Sequence, residues 1–219
     1  MKKLNLPKVT EDGIPYLSFS QYNMWKKNKR NYIRQYIFGE KDTTAHLEPY
    51  GDFGHMVGNA LETGDFSEFK GKDLEFMKKI PRYDEFERKV VLQMDGFISF
   101  GFIDTNTKPN GYVEKIADYK TGEIEKRKPD YESEDYIQLE LYAAGLEQEF
   151  GKLPDDAKVY LIERHGSAFA NEELVLGDKL EVIEKPLTPE RIKQVLDNFQ
   201  SVAEEIALHY EVFLKLNSI

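Results

Sequence analysis

Gly101-Phe102-Ile103-Asp104 and Ile116-Ala117-Asp118-Tyr119-Lys120-Thr121-Gly122 are the stretches on which the reading of this chain turns. Residues 116–120 are β-branched, aromatic and stopped by a glycine, the composition of a short strand. Side chains alternate along a strand, so Asp118 and Lys120 share one face and Ala117 and Tyr119 the other. Asp104 closes an earlier strand, 96–104, and Lys108-Pro109-Asn110-Gly111 between the two is turn chemistry. Two acids and a lysine at neighbouring strand ends make a hard-oxygen pocket for a divalent cation with an ammonium beside it. The plainer alternative for this triplet is a surface ion pair on an edge strand. Register sets a condition. A symmetric hairpin turning at Pro109-Asn110 puts Asp104 opposite Lys115, about three residues and ~10 Å short of Asp118. The acids meet only if the turn is asymmetric, a bulge shifts the register, or the strand ends curl together.

Around this centre the chain reads as one domain of 219 residues. Residues 1–50 form an N-terminal arm with a basic and aromatic helical region, 51–165 a catalytic core, and 166–219 a C-terminal strand or two and a helix. Hydrophobic residues make up 40% and charged residues 32%, with net charge -10. A polyanion must therefore meet a local basic patch, because the whole-molecule field repels it. Cysteine is absent, which excludes disulfides, thiolate zinc sites and cysteine-held iron–sulfur clusters. The same absence fits a reducing cytoplasm. No long apolar run follows Lys2 and Lys3, so no signal peptide is expected, and no segment approaches the ~20 apolar residues of a membrane span.

Ser18 or Ser20 can cap a helix that carries Tyr22, Trp25, Tyr32, Tyr36 and Phe38 among Lys26, Lys27, Lys29, Arg30 and Arg34, with Asn28 as a break. Its aromatics suit a core, and its basic face suits phosphate contact as well as plain solvation. A loop is expected over 39–50 and a helix from His55, with His55 and Glu62 two turns apart on one face. Glu62 reads as a helix-surface residue. Residues 64–81 read as loop plus a short helix at 73–79. Strands at 84–93, 96–104 and 112–120 with short turns favour an antiparallel meander, with Glu87 inside the first. Residues 122–134 look charged and mobile, with Lys126, Arg127 and Lys128. A strong helix follows at 135–150, with Gln138 and Tyr142 one turn apart, stopped by Gly151 and Pro154. Residues 157–163 are a buried-type strand that returns to the sheet most simply as a parallel neighbour. Another strand or two lies in 173–184, and Thr188-Pro189 starts a last amphipathic helix.

The order is G-x-x-x-H, a strand glutamate, G-x-x-D, D-x-K-T-G, and a helix with Q-x-x-x-Y. It is carried by Gly51 with His55, by Glu87, by Gly101 with Asp104, by 118–122, and by Gln138 with Tyr142. This resembles the RecB-like branch of the PD-(D/E)XK nuclease superfamily, of the phage and recombination exonuclease type. The residues 18–22 also look like the start of phage members. The resemblance implies an α/β (α+β) fold, a mixed central β-sheet flanked by helices with a restriction-endonuclease-like nuclease core. It implies metal-dependent cleavage of DNA, with Mg or Mn as cofactor and DNA ends or single strands as partner. A bacterial or phage-infected cell is the expected setting, and an oligomer is compatible with the sequence. The iron–sulfur cluster of several members is not expected here, for want of cysteine.

A phosphodiester is a poor electrophile, so its hydrolysis needs charge neutralisation and a strong nucleophile. A divalent cation on Asp104 and Asp118 would supply both. Lys120 beside it can orient the attacking water and offset developing charge; a nearby cation also lowers a lysine's pKa, which opens a base role. By resemblance His55 is a further metal ligand and the Tyr119 carbonyl another, and a nitrogen ligand tilts preference from magnesium towards manganese. Glu87 is a candidate supporting or occasional metal group. Gln138 can hydrogen-bond the site or a phosphate, and Tyr142 either packs on the sheet or touches DNA. Two other readings stand beside this one: a nuclease-fold protein that binds nucleic acid or a partner without cutting, and an unrelated β-rich binding module. The retained acid, acid and lysine argue against the first of these.

Overall fold

The computed structural model describes residues 3–40 and 48–217. One five-stranded sheet runs in the order β1 (Glu85–Gln93), β2 (Ile98–Asn106), β3 (Lys115–Gly122), β4 (Asp156–His165), β5 (Val175–Glu184). Strands β1, β2 and β3 form the antiparallel meander; β4 is parallel to β3 and β5 antiparallel to β4, so the sheet is mixed. Helices α1 (Phe19–Lys27), α2 (Lys29–Tyr32), α3 (Glu48–Thr63), α4 (Gly71–Met77), α5 (Ile124–Glu132), α6 (Gln138–Phe150) and α7 (Pro189–Asn217) flank it. This is the expected fold class.

Local chemistry accounts for the helix ends. Ser18 caps α1 through its hydroxyl, which accepts from the Gln21 N–H. Asn28 ends α1 and caps α2, its Oδ1 accepting from the Asn31 N–H, so this one residue breaks the helix in two. Gly151 takes the left-handed C-terminal position of α6 at φ 76. Helix α3 begins before the expected start, and residues 41–47 of the expected loop lie outside the described residues.

The sheet is covered on both faces. Val159 and Leu161 of β4 join the apolar cluster built with α1, α6 and α7, whereas Ile162 joins Phe53, Val57, Leu61 and Met77 of α3 and α4. Burial on both faces explains why β4 reads as a continuous apolar run rather than an alternating one. Helix α6 lies close on β1 and β2 because glycines let it approach. Gly145 sits against the Val90 side chain, where a Cβ would overlap it.

Two expectations need correction. Residues 122–134 are not a mobile segment, because α5 occupies most of them. Ile124 and Tyr131 are buried anchors, and Lys126–Glu123, Arg127–Asp130 and Lys128–Glu132 pair along the helix surface. The charge density that suggested disorder is mutually compensated there. Helix α6 starts at Gln138 rather than 135; a turn closed by the Tyr136 N–H on the Ser133 carbonyl precedes it.

The β2–β3 connection decides the register. Thr107 N–H donates to the Lys115 carbonyl at 3.0 Å, and the N–H groups of Glu114 and Lys115 both donate to Thr107 Oγ1 at 3.0 Å. The loop is centred on Gly111, at φ 81, not on Pro109-Asn110. Thr105 therefore pairs with Ala117 and Asn106 with Ile116. The next row is Asp104 and Asp118, and the ladder stops there because the strands part. The asymmetric turn thus supplies the shift that a symmetric hairpin would have denied.

Candidate active site

The acids gather where the sheet splits. In register, Glu87 of β1 stands opposite Asp104 of β2, which stands opposite Asp118 of β3. The β1–β2 ladder passes over the Glu87–Asp104 row, and Glu87 has φ 50, a left-handed conformation costly for a side-chain-bearing residue in a strand. Strain and lost pairing thus coincide with the acidic row.

Asp118 is 1% exposed and accepts from three donors. Lys120 Nζ lies 2.6 Å from Oδ2, Tyr136 donates its hydroxyl proton to Oδ2 at 3.0 Å, and Gln138 Nε2 donates to Oδ1 at 3.1 Å. Gln138 also donates to the Tyr142 hydroxyl at 3.1 Å. The Tyr142 ring occupies the notch left by Gly101: a Cβ at 101 would stand 2.5 Å from its hydroxyl oxygen. The G-x-x-D and Q-x-x-x-Y patterns are thus two halves of one contact. Asp104 Oδ2 accepts from the Tyr119 N–H at 2.7 Å, and the Tyr119 hydroxyl donates to the Pro81 carbonyl at 2.7 Å.

Electrostatics follow from this crowding. Burial, then the neighbouring Asp118 charge, push the Asp104 carboxyl up to about 7, against the pull of Lys120. Burial works against the Lys120 ammonium, but Asp118 and Asp104 outweigh it and hold its pKa above the usual lysine value. With no cation beside the acids, Lys120 is held protonated. Burial, Glu62 and Asp118 raise Glu87.

A cavity of about 630 Å³ opens onto the row. Glu87, Asp104, Tyr119 and Lys120 line it from the sheet, and His55 and Glu62 from α3. Gly51, Gly54 and Gly58 of α3 also face it, and among the described residues no atom outside the helix's own nearby backbone lies within 4 Å of a Cβ built at 51 or 58. Asp118 lies behind this wall. Among the described residues no three His, Asp or Glu side chains converge closely enough to enclose a metal by themselves. His55 shares the cavity without joining the two acids in such a cluster. The donor set nevertheless fits a hard divalent cation: carboxylates crowded until one of them resists ionisation are what an added positive charge relieves.

The basic residues divide. Lys26 pairs with Asp135, Lys29 with Glu205 and Arg34 with Glu40, whereas Lys27 and Arg30 have no acid within 4 Å among the described residues. Lys128 pairs with Glu181, and Lys126 and Arg127 line a second hollow with Arg164 that shares Tyr50 and Thr121 with the main cavity. Glu62 is exposed on the surface of α3, as its spacing predicts, and that surface is the cavity wall. One site residue escapes the sequence. Tyr136 gave no signal, because it reaches Asp118 only from the turn that delays the start of α6.

The fold is a mixed sheet whose β2 and β3 part at a row of acids with a lysine beside them. The chain belongs to the PD-(D/E)XK nuclease superfamily, whose family model matches residues 77–212, more than half of its length. The match takes in Asp104, Asp118, Lys120, Gln138 and Tyr142 and starts after His55. No curated protein matches the chain. A crystal structure described as a "Putative exonuclease" from Eubacterium rectale is similar in fold at 13% identity and TM-score 0.48, covering 94% of this chain and 86% of its own. The family match sets aside the unrelated β-rich binding module.

Proposed function

We propose that the chain is a metal-dependent deoxyribonuclease that hydrolyses phosphodiester bonds, acting as one domain, and that it works as an exonuclease in DNA recombination, repair or phage DNA processing. The observation that carries this reading is the row Glu87, Asp104 and Asp118 with Lys120 held 2.6 Å from Asp118. Magnesium or manganese on Asp104 and Asp118, with His55 and the Tyr119 carbonyl as candidate further ligands, would neutralise the phosphate and make the attacking water more acidic. Lys120 offsets charge that develops on the phosphate oxygens. Tyr136 and Gln138 hold Asp118 in place, and Glu87 adds charge at the edge. The cavity volume is that of a site for one small ligand, typically about 300–1,000 Å³.

The test incubates the protein with end-labelled linear, circular and single-stranded DNA in magnesium, manganese or chelator. Loss of linear but not circular DNA, abolished by chelator, is expected. Cutting of circles would make the enzyme an endonuclease. No cutting of any substrate, with DNA still bound, would favour a nuclease fold that binds without catalysis.

A further inference from the structure

A further groove of the molecule meets the acid site at Gln138, which lines the groove and also holds Asp118. It has a volume of about 590 Å³ and lies between α1, the exposed edge of β2 and the start of α6, lined by Phe19, Lys27, Phe100, Phe102, Gln138 and Tyr142 among others. Its floor exists because β2 lacks a neighbour there. Ile98 bonds the N-terminal arm through Pro15 and Leu17, and pairing to β3 resumes only at Thr105, so residues 99–104 have one edge without a strand partner among the described residues.

Phe102 is 46% exposed, although a phenylalanine on a strand normally packs. Phe100, Phe102 and Asp104 follow at every second residue, about 7 Å apart, along one side of the strand. The Phe100 ring is braced by Tyr16, with centroids 4.9 Å apart, and Lys89 Nζ lies 5.4 Å from it. At the rim Lys27 carries a charge that no described acid neutralises, while Lys26 and Lys29 beside it are tied down. Gln138 joins the groove to the site, since its amide bonds Asp118.

We propose that this groove is the track for unpaired DNA, in which a base stacks on Phe102, its neighbour on Phe100, and the backbone passes Lys27 on its way to Asp104. Flat apolar rings on a strand, interleaved with isolated lysines, match the exposed base faces and spaced phosphates of a single strand. A duplex hides its base faces and would meet the rings only with sugar and phosphate. In a protein of net charge -10 the local cations are what admit a polyanion at all. This proposal rests on the nuclease reading and names its substrate as single-stranded DNA.

The experiment measures binding, in calcium, of a single-stranded oligonucleotide carrying 2-aminopurine, whose fluorescence is quenched by stacking, and of a blunt duplex. Wild type is expected to quench the probe. Phe102→Ala should weaken single-strand binding by about 5- to 100-fold and abolish most of the quenching, Phe102→Trp should restore both, and duplex binding should change less than about twofold. The thermal midpoint of Phe102→Ala checks that the fold is intact. Unchanged single-strand affinity in both Phe102→Ala and Phe100→Ala, or an equal loss for duplex, overturns the track. If wild type cuts DNA and the variants bind normally, only the track falls. If wild type neither binds nor cuts any DNA, the nuclease reading falls and takes the track with it.

Discussion

The Lys120 ammonium stands 2.6 Å from Oδ2 of Asp118, a carboxylate that is 1% exposed while the lysine is 28% exposed. The pair is therefore lopsided: the acid depends on the lysine for neutralisation more than the lysine depends on the acid. Removing the lysine should expose two separate consequences, one for folding and one for chemistry.

Lys120→Ala is expected to lose turnover by about 10²-fold or more, the scale for one electrostatic stabiliser, while DNA affinity measured in calcium stays near wild type. It should also lower metal-free stability by on the order of 2 kcal/mol, because Asp118 is left buried with only Tyr136 and Gln138. Added divalent cation should recover the stability and not the turnover. Near-wild-type single-turnover rates would remove Lys120 from the mechanism.

Asp104 gives a pH signature in the metal-free protein. Its carboxyl is raised to about 7 in the fold from 3.8 in the unfolded chain, so the native state holds the extra proton between those values. Its contribution to stability is complete below about pH 4 and is lost as pH rises through about 7. Asp104→Asn mimics the protonated form and should flatten the fall in stability over that window, leaving the variant more stable than wild type at pH 7 without metal. It should also lose metal affinity. Calorimetric titration and pH-dependent unfolding check both; an unchanged pH slope would show that Asp104 ionises normally.

Gly101 and Tyr142 should be energetically coupled. Gly101→Ala drives a methyl to 2.5 Å from the Tyr142 hydroxyl oxygen and is expected to destabilise by about 1–3 kcal/mol. Tyr142→Ala opens the notch, so the double variant should be more stable than the sum of the singles predicts. Additivity in a double-mutant cycle would contradict the contact.

At Glu87 strand propensity should fail. Valine favours strands, yet a β-branched residue at φ 50 is strained, so Glu87→Val should destabilise by roughly 1–2 kcal/mol. Glu87→Gly tolerates that φ and should be near neutral or stabilising. Denaturant unfolding decides; a more stable valine variant would mean that the backbone relaxes to an ordinary strand.

Gly58→Ala separates stability from function on α3. Among the described residues no atom outside the helix's own nearby backbone lies within 4 Å of the added methyl, and alanine is worth up to about 1 kcal/mol over glycine inside a helix, so the thermal midpoint should rise. The methyl narrows the cavity beside Glu62 and Asp104, and the Michaelis constant for DNA should rise with it. A higher midpoint with unchanged kinetics would show that DNA passes α3 at a distance.

The order of elements was legible because it depends on local chemistry. Ser18, Asn28, Gly151 and Thr188 end or start helices through bonds to backbone a few residues away, and the apolar run of β4 declares burial on both faces. The pairing of Asp118 with Lys120 follows from strand alternation alone. The charged α5 looks mobile in the sequence because compensation between i and i+3 is invisible to a count of charges.

What only the tertiary structure decided is which distant groups meet. A three-residue ambiguity in the Asp104–Asp118 register was settled by Thr107 and Gly111, which set a loop whose centre no dipeptide rule identified. Tyr136 reaches Asp118, Tyr142 fills the space over Gly101, and Glu62 faces the cavity because α3 and α6 pack on opposite faces of the split sheet. Residue spacing along one element fixes which side chains share a face. Contacts between elements depend on register and packing, which are properties of the whole chain's lowest free energy and of no segment within it.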